Sequence, residues 1–226
     1  MSEHQYMHVC QVTRYDRVMA PAPARSRNPR GEGVRLRDQL VQATAEVIDD
    51  VGDASRVSVR AIARRAGVSP TALYLHFADR DALVAAAVDA GFAAFNAALI
   101  AAARSASDPV ASLEAMGRAY LAFAERQPAL YAVLFSARRP LGPKAPTAVG
   151  LEGNEGFAGL VALLRAADPD IDADEGRARA IAVWSSLHGF ATLRAARPHL
   201  GWPAAQEYVR RTLAAHLTSP RDSDMS

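Results

Sequence analysis

A chain of 226 residues, half of them hydrophobic, carries enough apolar material for one large core or for a small and a medium domain together. Its 26 basic against 24 acidic side chains leave a formal charge of +2, which excludes a basic polymer, so any affinity for nucleic acid must come from locally placed arginines. The single cysteine, Cys10, excludes an intramolecular disulfide framework. No apolar run is read as long enough to span a membrane, and a cytoplasmic protein without a membrane partner is expected.

Residues 1–33 mix Pro, Arg, Ser and Asn without apolar periodicity, and Ala20 to Gly33 cannot bury enough surface to offset its ordering entropy. A disordered tail is expected there. It has no apolar segment of the kind that marks a secretory signal. His4, His8 and Cys10 are candidate metal ligands only in the sense that they are the right atoms; on a loose tail they read as solvated, and no metal or cofactor is expected. Arg14, Arg17, Arg25, Arg27 and Arg30 suit a basic arm beside DNA, although an extension without a role is the simpler reading.

A helix of Arg35 to Val51 comes first, and the next segment, Val57 to Asp81, is the densest in information. Ser58 is a favoured N-cap, and Val59, Ile62, Ala63 and Ala66 follow at the spacing of one apolar helical stripe. Gly67 supplies the left-handed turn that stops the helix. Ser69 is the next N-cap, with Pro70 at the first helical position. Leu73 and Phe77 then face a core while Thr71, Tyr74 and His76 lie off that stripe. The segment reads as a helix-turn-helix, whose second helix enters a DNA major groove. Two short helices around a glycine turn also occur in proteins that never touch DNA. Arg60, Arg64 and Arg65 on the first helix and Arg80 after the second favour DNA, because cations there suit phosphate contacts.

The pattern G-V-S-x-x-x-L-Y-x-H-F, here Gly67-Val68-Ser69 through Leu73-Tyr74 and His76-Phe77, resembles the DNA-binding domain of the TetR family of bacterial transcriptional regulators. The resemblance extends from the helix at Arg35 to the Asp79-Arg80-Asp81 start of a long helix. It implies phosphate contacts from Ser58 and Arg60. It places Ser69, Pro70 and Thr71 nearest the base edges, and gives phosphate-contacting roles to Tyr74, His76 and Arg80, arginine standing where the family has lysine. Two departures stand out: Leu75 occupies a position often polar or aromatic in the family, and Pro70 and Ala72 bring no side-chain hydrogen bonds. Bidentate base readers are missing from the second helix, so DNA shape and backbone contacts are expected to carry much of the specificity.

The rest of the chain reads as helical, with no strand alternation. Asp79 opens an alanine-rich helix to about Arg104 with Leu83, Val84, Ala87, Val88, Phe92 and Phe95 on its buried side. Asp108-Pro109 opens another that stops at Gln127-Pro128, and a shorter one runs from Pro128 to Ala137. Arg138 to Thr147 is a proline-rich surface loop. Ala148 to Ala167 resumes the helix with first turns weakened by glycine. Asp172 to Ala196 and Trp202 to Thr218 are the last two helices. Ile181, Trp184, His188 and Ala191 share one face of the first of these and read as packing residues.

The fold class expected is all-α: an N-terminal three-helix helix-turn-helix domain (34–80, motif 58–77) joined by a long helix to a helical ligand-binding and dimerisation domain (81–219), with a short disordered tail at 220–226. Trp184-x-x-x-His188-Gly189 is similar to the C-terminal signature of one TetR subgroup, and Gly189 suits a close helix contact. The resemblance implies a homodimer through the last two helices, bound to a palindromic operator in double-stranded DNA, and a small-molecule effector that releases it. Tyr120, Phe123, Tyr131, Phe135, Phe157, Trp184 and His188 are the candidate pocket residues. Their apolar character points to a hydrophobic or aromatic effector, though each is also an ordinary core residue. An enzyme is not expected: metal-ligand spacing, a nucleophile beside a paired base and a phosphate-cradling loop are all missing. The alternative is a helical ligand-binding or interaction protein that has lost specific DNA binding.

Overall fold

The computed structural model describes residues 32–136 and 154–217, and every regular element among them is helical. In chain order these are α1 (Glu32–Val51), a 3-10 turn (Ala54–Arg56), α2 (Val59–Ala66), α3 (Pro70–Leu73), α4 (Arg80–Arg104), α5 (Pro109–Arg126), α6 (Pro128–Leu134), α7 (Glu155–Ala167), α8 (Ala173–Ala196) and α9 (Ala205–Leu217). Most of the starts are set by side-chain caps that satisfy a free N–H of the first turn. Ser58, Ser69, Asp79, Asp108, Asn154 and Asp172 each accept from the backbone N–H three residues on.

α1 packs on α2 and α4, and α2 on α3, around Leu40, Ile48, Ile62, Leu73 and Leu83, all fully buried. α4 then leaves this small core and packs against α5, α6 and α7, carrying Phe95 and Leu99 into a second core completed by α8 and α9. α6 returns to α1. Gln127 offers it no side-chain cap, and Asp49 of α1 does so instead, its Oδ1 accepting from the N–H groups of Ala129 (3.1 Å) and Leu130 (3.0 Å). One carboxylate therefore joins the first helix to the C-terminal half.

Several boundaries differ from the sequence reading. α1 begins three residues earlier than Arg35. α3 is a single turn, because the N–H groups of Leu75 (3.3 Å) and His76 (3.0 Å) bond three residues back, to Ala72 and Leu73, and tighten the chain out of the α pattern. α6 stops at Leu134 rather than Ala137, and α9 starts at Ala205 rather than Trp202. Trp202 sits in the preceding turn, its indole N–H donating to the carbonyl of Arg197 (2.8 Å) and its ring edge-on to Phe190 at 5.3 Å. The expected disordered stretches, apart from residues 32 and 33 of α1, lie outside the described residues. So do Cys10, His4, His8, the tail arginines and the loop at 138–147.

The expectation that no apolar run reaches membrane-spanning length needs correction. α4 has the length and composition to cross a bilayer, with a mean hydropathy of 1.8 over its most apolar window, because its alanines raise the average. Its Leu83, Val84, Val88, Phe95 and Leu99 are instead buried against neighbouring helices. α4 is a core helix spanning both halves of the fold.

Candidate nucleic-acid interface and effector core

The reading unit is built by local rules. The N–H of Gly67 (φ 69°) bonds to the carbonyl of Arg64 at 3.3 Å and that of Val68 to Ala63 at 2.9 Å, closing α2 and turning the chain into α3. No side chain crowds Gly67, so the positive φ alone calls for glycine. Ser58, Arg60, Arg64, Ser69, Pro70, Thr71 and Tyr74 are all exposed on this unit, and His76 is half-buried. The two serine hydroxyls accept from their own helices at 3.2 Å. Capping consumes a lone pair and leaves each O–H free to donate to a phosphate oxygen.

The four arginines divide. Arg60 and Arg64 are exposed and carry no ion pair among the described residues. Arg65, expected beside them, is held by Glu46 at 3.1 Å and by Asp50, both on α1. Glu46 is held below its usual carboxylate value, first by the hydrogen bond from Gln42 and then by the one from Arg65. Arg65 thus ties α2 to α1. Arg80 is also a strut. Its Nε donates to the carbonyl of Val57 (2.7 Å), one terminal nitrogen to the carbonyl of Ala54, and the other to Asp81 (2.6 Å). Of the five N–H donors on a guanidinium, two are left for a phosphate.

The candidate pocket residues do come together, as a packed aromatic core around a side chain outside that set, Phe95 of α4. Its ring lies edge-on to Tyr120 and Phe123 at 5.1 Å, to Phe135 at 5.7 Å and to Trp184 at 6.2 Å, and Trp184 in turn meets Phe157 at 5.8 Å. A polar relay crosses this apolar cluster: the hydroxyls of Tyr120 and Tyr131 lie 2.8 Å apart, and that of Tyr131 is 2.7 Å from His188 Nδ1. Both hydroxyls and His188 Nδ1 are satisfied if Tyr120 donates to Tyr131 and Tyr131 donates to a neutral imidazole protonated on Nε2. Burial raises both tyrosine pKa values above their ordinary range and lowers that of His188.

That depression has a checkable consequence. An unfolded histidine takes a proton at about pH 6.5, the folded one only at lower pH, so the unfolded state binds more protons between the two values. The stability of the native chain therefore falls as pH drops through and below the ordinary histidine range. In His188→Gln that share of the acid slope should vanish, as read from denaturant midpoints at roughly pH 8 and roughly pH 5. Equal slopes in the two proteins would remove His188 from this balance.

Within the core the free space bordered by Leu113, Met116, Gly117, Trp184, Leu187 and Val209 is only about 20 Å³. That is room for one water-sized sphere against the roughly 300–1,000 Å³ of ordinary ligand pockets. A groove of about 310 Å³ opens on the outside between α5, α6 and α8, bordered by Leu121, Pro128, Phe190 and Arg194. On α8 the buried stripe is Ala180, Val183, Leu187 and Phe190, with Trp184 and His188 turned toward the aromatic cluster. Ile181, expected on their face, points outward and is 39% exposed. Among the described residues no group of three metal-ligating side chains occurs. Phe95 and Asp49 are the two contributors that the sequence reading left out of its site residues. The helical stripe marked Phe95 as buried, and no local pattern marked Asp49 as a distant cap.

Comparison with known proteins gives two family matches. Residues 40–87 match the model described as bacterial regulatory proteins, tetR family, and residues 113–217 match that of the tetracyclin repressor-like C-terminal domain. The nucleoid occlusion factor SlmA of Aliivibrio fischeri (strain MJ11) is 30% identical over 102 residues, 43% of this chain and 50% of that protein. The chain thus spans about half the length of the curated relatives it matches. Among solved structures, a protein of unknown function from Rhodococcus sp. RHA1 is 29% identical with a TM-score of 0.66, covering 80% of this chain and 93% of its own. The regulator FadR from Bacillus subtilis, solved in complex with stearoyl-CoA, shares the fold at a TM-score of 0.58 and 14% identity, covering 80% of this chain and 97% of its own.

Proposed function

Because the chain belongs to the TetR family of bacterial regulatory proteins, we propose that it is a ligand-responsive repressor that binds a palindromic operator as a cytoplasmic homodimer. The observation that carries this reading is the exposed face of α2 and α3. There Ser58, Arg60, Arg64, Ser69, Thr71 and Tyr74 offer donors and unpaired cations from one rigid unit. The same reading gives His76 and the two spare donors of Arg80 to neighbouring phosphates. The similarity of Trp184-x-x-x-His188-Gly189 to one subgroup's signature supports the reading of the C-terminal half as a member of it.

Support for a dimer lies on the outward side of α8. Ala178, Ile181, Ser185 and Thr192 form an exposed stripe of small and apolar residues at helical spacing. Outside its own stretch of helix, no described atom lies within 4 Å of a Cβ built on Gly189. Such a surface suits the same surface of a second copy about a two-fold axis.

The effector is proposed to be apolar with a polar head: the aromatic core offers rings for the body and the Tyr120–Tyr131–His188 relay for the head. The stearoyl-CoA bound by the FadR structure of like fold agrees with that class. Binding is proposed to spread the rings, since the space between them among the described residues is only about 20 Å³. Tyr131 lies on α6, whose first turn Asp49 caps from α1, so displacement of α6 is passed to the helix that holds Arg65 and the reading unit. In Asp49→Ala the amides of Ala129 and Leu130 should exchange faster, and stability should fall by about 0.5–2 kcal/mol, the usual cost of losing a cap. Unchanged exchange would remove this coupling.

The function itself is tested by selection of sites from random duplex DNA with the purified chain. An inverted repeat with half-site centres roughly 34 Å apart, or a multiple of that, is expected. No enrichment by a folded protein would favour the helical ligand-binding or interaction protein instead.

A further inference from the structure

Leu75 is 80% exposed, the most exposed large hydrophobic side chain among the described residues. Packing does not call for it, because Leu73 and Phe77, at 0% and 6% exposure, already fill the core beneath α3. Its N–H bonds to the carbonyl of Ala72 at 3.3 Å, which holds Leu75 in the turn that follows α3, four residues beyond the exposed Thr71. Pro70, Thr71 and Leu75 thus present ring methylenes, one methyl and an isobutyl group on the outer surface of the reading unit. Arg, Asn and Gln, which make bidentate base contacts, are absent from α3 and the turn that follows it.

In the major groove one base feature rewards an apolar side chain, the C5-methyl of thymine. We propose that Leu75, with Thr71 and Pro70, reads thymine methyl groups, so that each half-site carries thymine at fixed positions beneath α3. The occupant is duplex DNA and not a protein partner, because Arg60 and Arg64 stand exposed on the adjoining α2 as counter-charges for the backbone flanking such a groove. This rests on the DNA-binding reading and deepens it: direct apolar readout is added to the DNA shape and backbone contacts that the sequence alone suggested.

The test uses the full chain and the duplex it selects, with each thymine replaced in turn by deoxyuridine, which removes only the methyl group. Wild-type affinity should fall about fourfold for one methyl and about fifteenfold when the symmetric position is replaced too, the scale of burying one methylene-sized group. In Leu75→Ala, an exposed change that leaves the melting curve in place, the same replacement should cost less than about twofold. Indifference of the wild type to deoxyuridine everywhere, or an equal loss in wild type and Leu75→Ala, overturns the inference while operator binding stands. Failure to select any site overturns the DNA-binding reading and this inference with it.

Discussion

Phe95→Ala should destabilise the chain by about 3–5 kcal/mol, the range for deleting a fully buried phenylalanine whose site relaxes only in part. Phe95 is 0% exposed and touches rings from α5 and α8 and that of Phe135, just past the end of α6, as well as Phe92 of its own helix. Its loss removes transfer energy and edge-on ring contacts together and leaves a gap beside a free space that, among the described residues, is only about 20 Å³. Denaturant titration gives the number. The gap should also bind benzene, seen as a rise in melting temperature that the wild type lacks. A cost below about 1.5 kcal/mol with no benzene effect would mean that the neighbouring rings collapse onto the site. Phe95 would then not be the centre of a rigid core.

Arg80→Ala should be the other severe change, at about 2–4 kcal/mol, because the carbonyls of Ala54 and Val57 lose their donor in a partly buried setting. Both carbonyls belong to the turn that precedes Ser58, so the variant should misplace α2 and weaken DNA binding indirectly. Arg80→Lys separates the two roles of the side chain. It keeps a cation near the phosphate but cannot reproduce the guanidinium fork, and is expected to recover little of the stability. If Arg80→Ala left the denaturation midpoint unchanged and Arg80→Lys restored binding, the residue would be a phosphate contact and nothing more.

These two residues show where sequence reading succeeds and stops. Ser58, Gly67, Ser69, Asp79 and Asp108 act within a few residues of themselves, and their capping and turning roles follow from local chemistry, which is why the helix order was legible. The aromatic set was legible as a group, because aromatic residues at helical spacing must meet somewhere. In the sequence Arg80 presents itself as a cation for phosphate, since its carbonyl partners lie 23 and 26 residues away and leave no local trace. The same distance hid Asp49, whose partners are 80 and 81 residues on, and Arg65, whose acids sit on α1. Leu75 stands out in the sequence as a departure, but its 80% exposure depends on α3 closing at Leu73, which no local pattern signals.

The most direct test of a DNA-reading face built on α2 and α3 is the salt dependence of affinity for the selected duplex, in wild type and in Arg60→Ala and Arg64→Ala. We expect affinity to fall steeply and linearly on logarithmic axes. Each variant should flatten the slope by about one per protomer, about two per dimer, as the corresponding phosphate contacts are lost. A slope near zero in the wild type, or one that neither substitution alters, would contradict the assignment of that face to DNA.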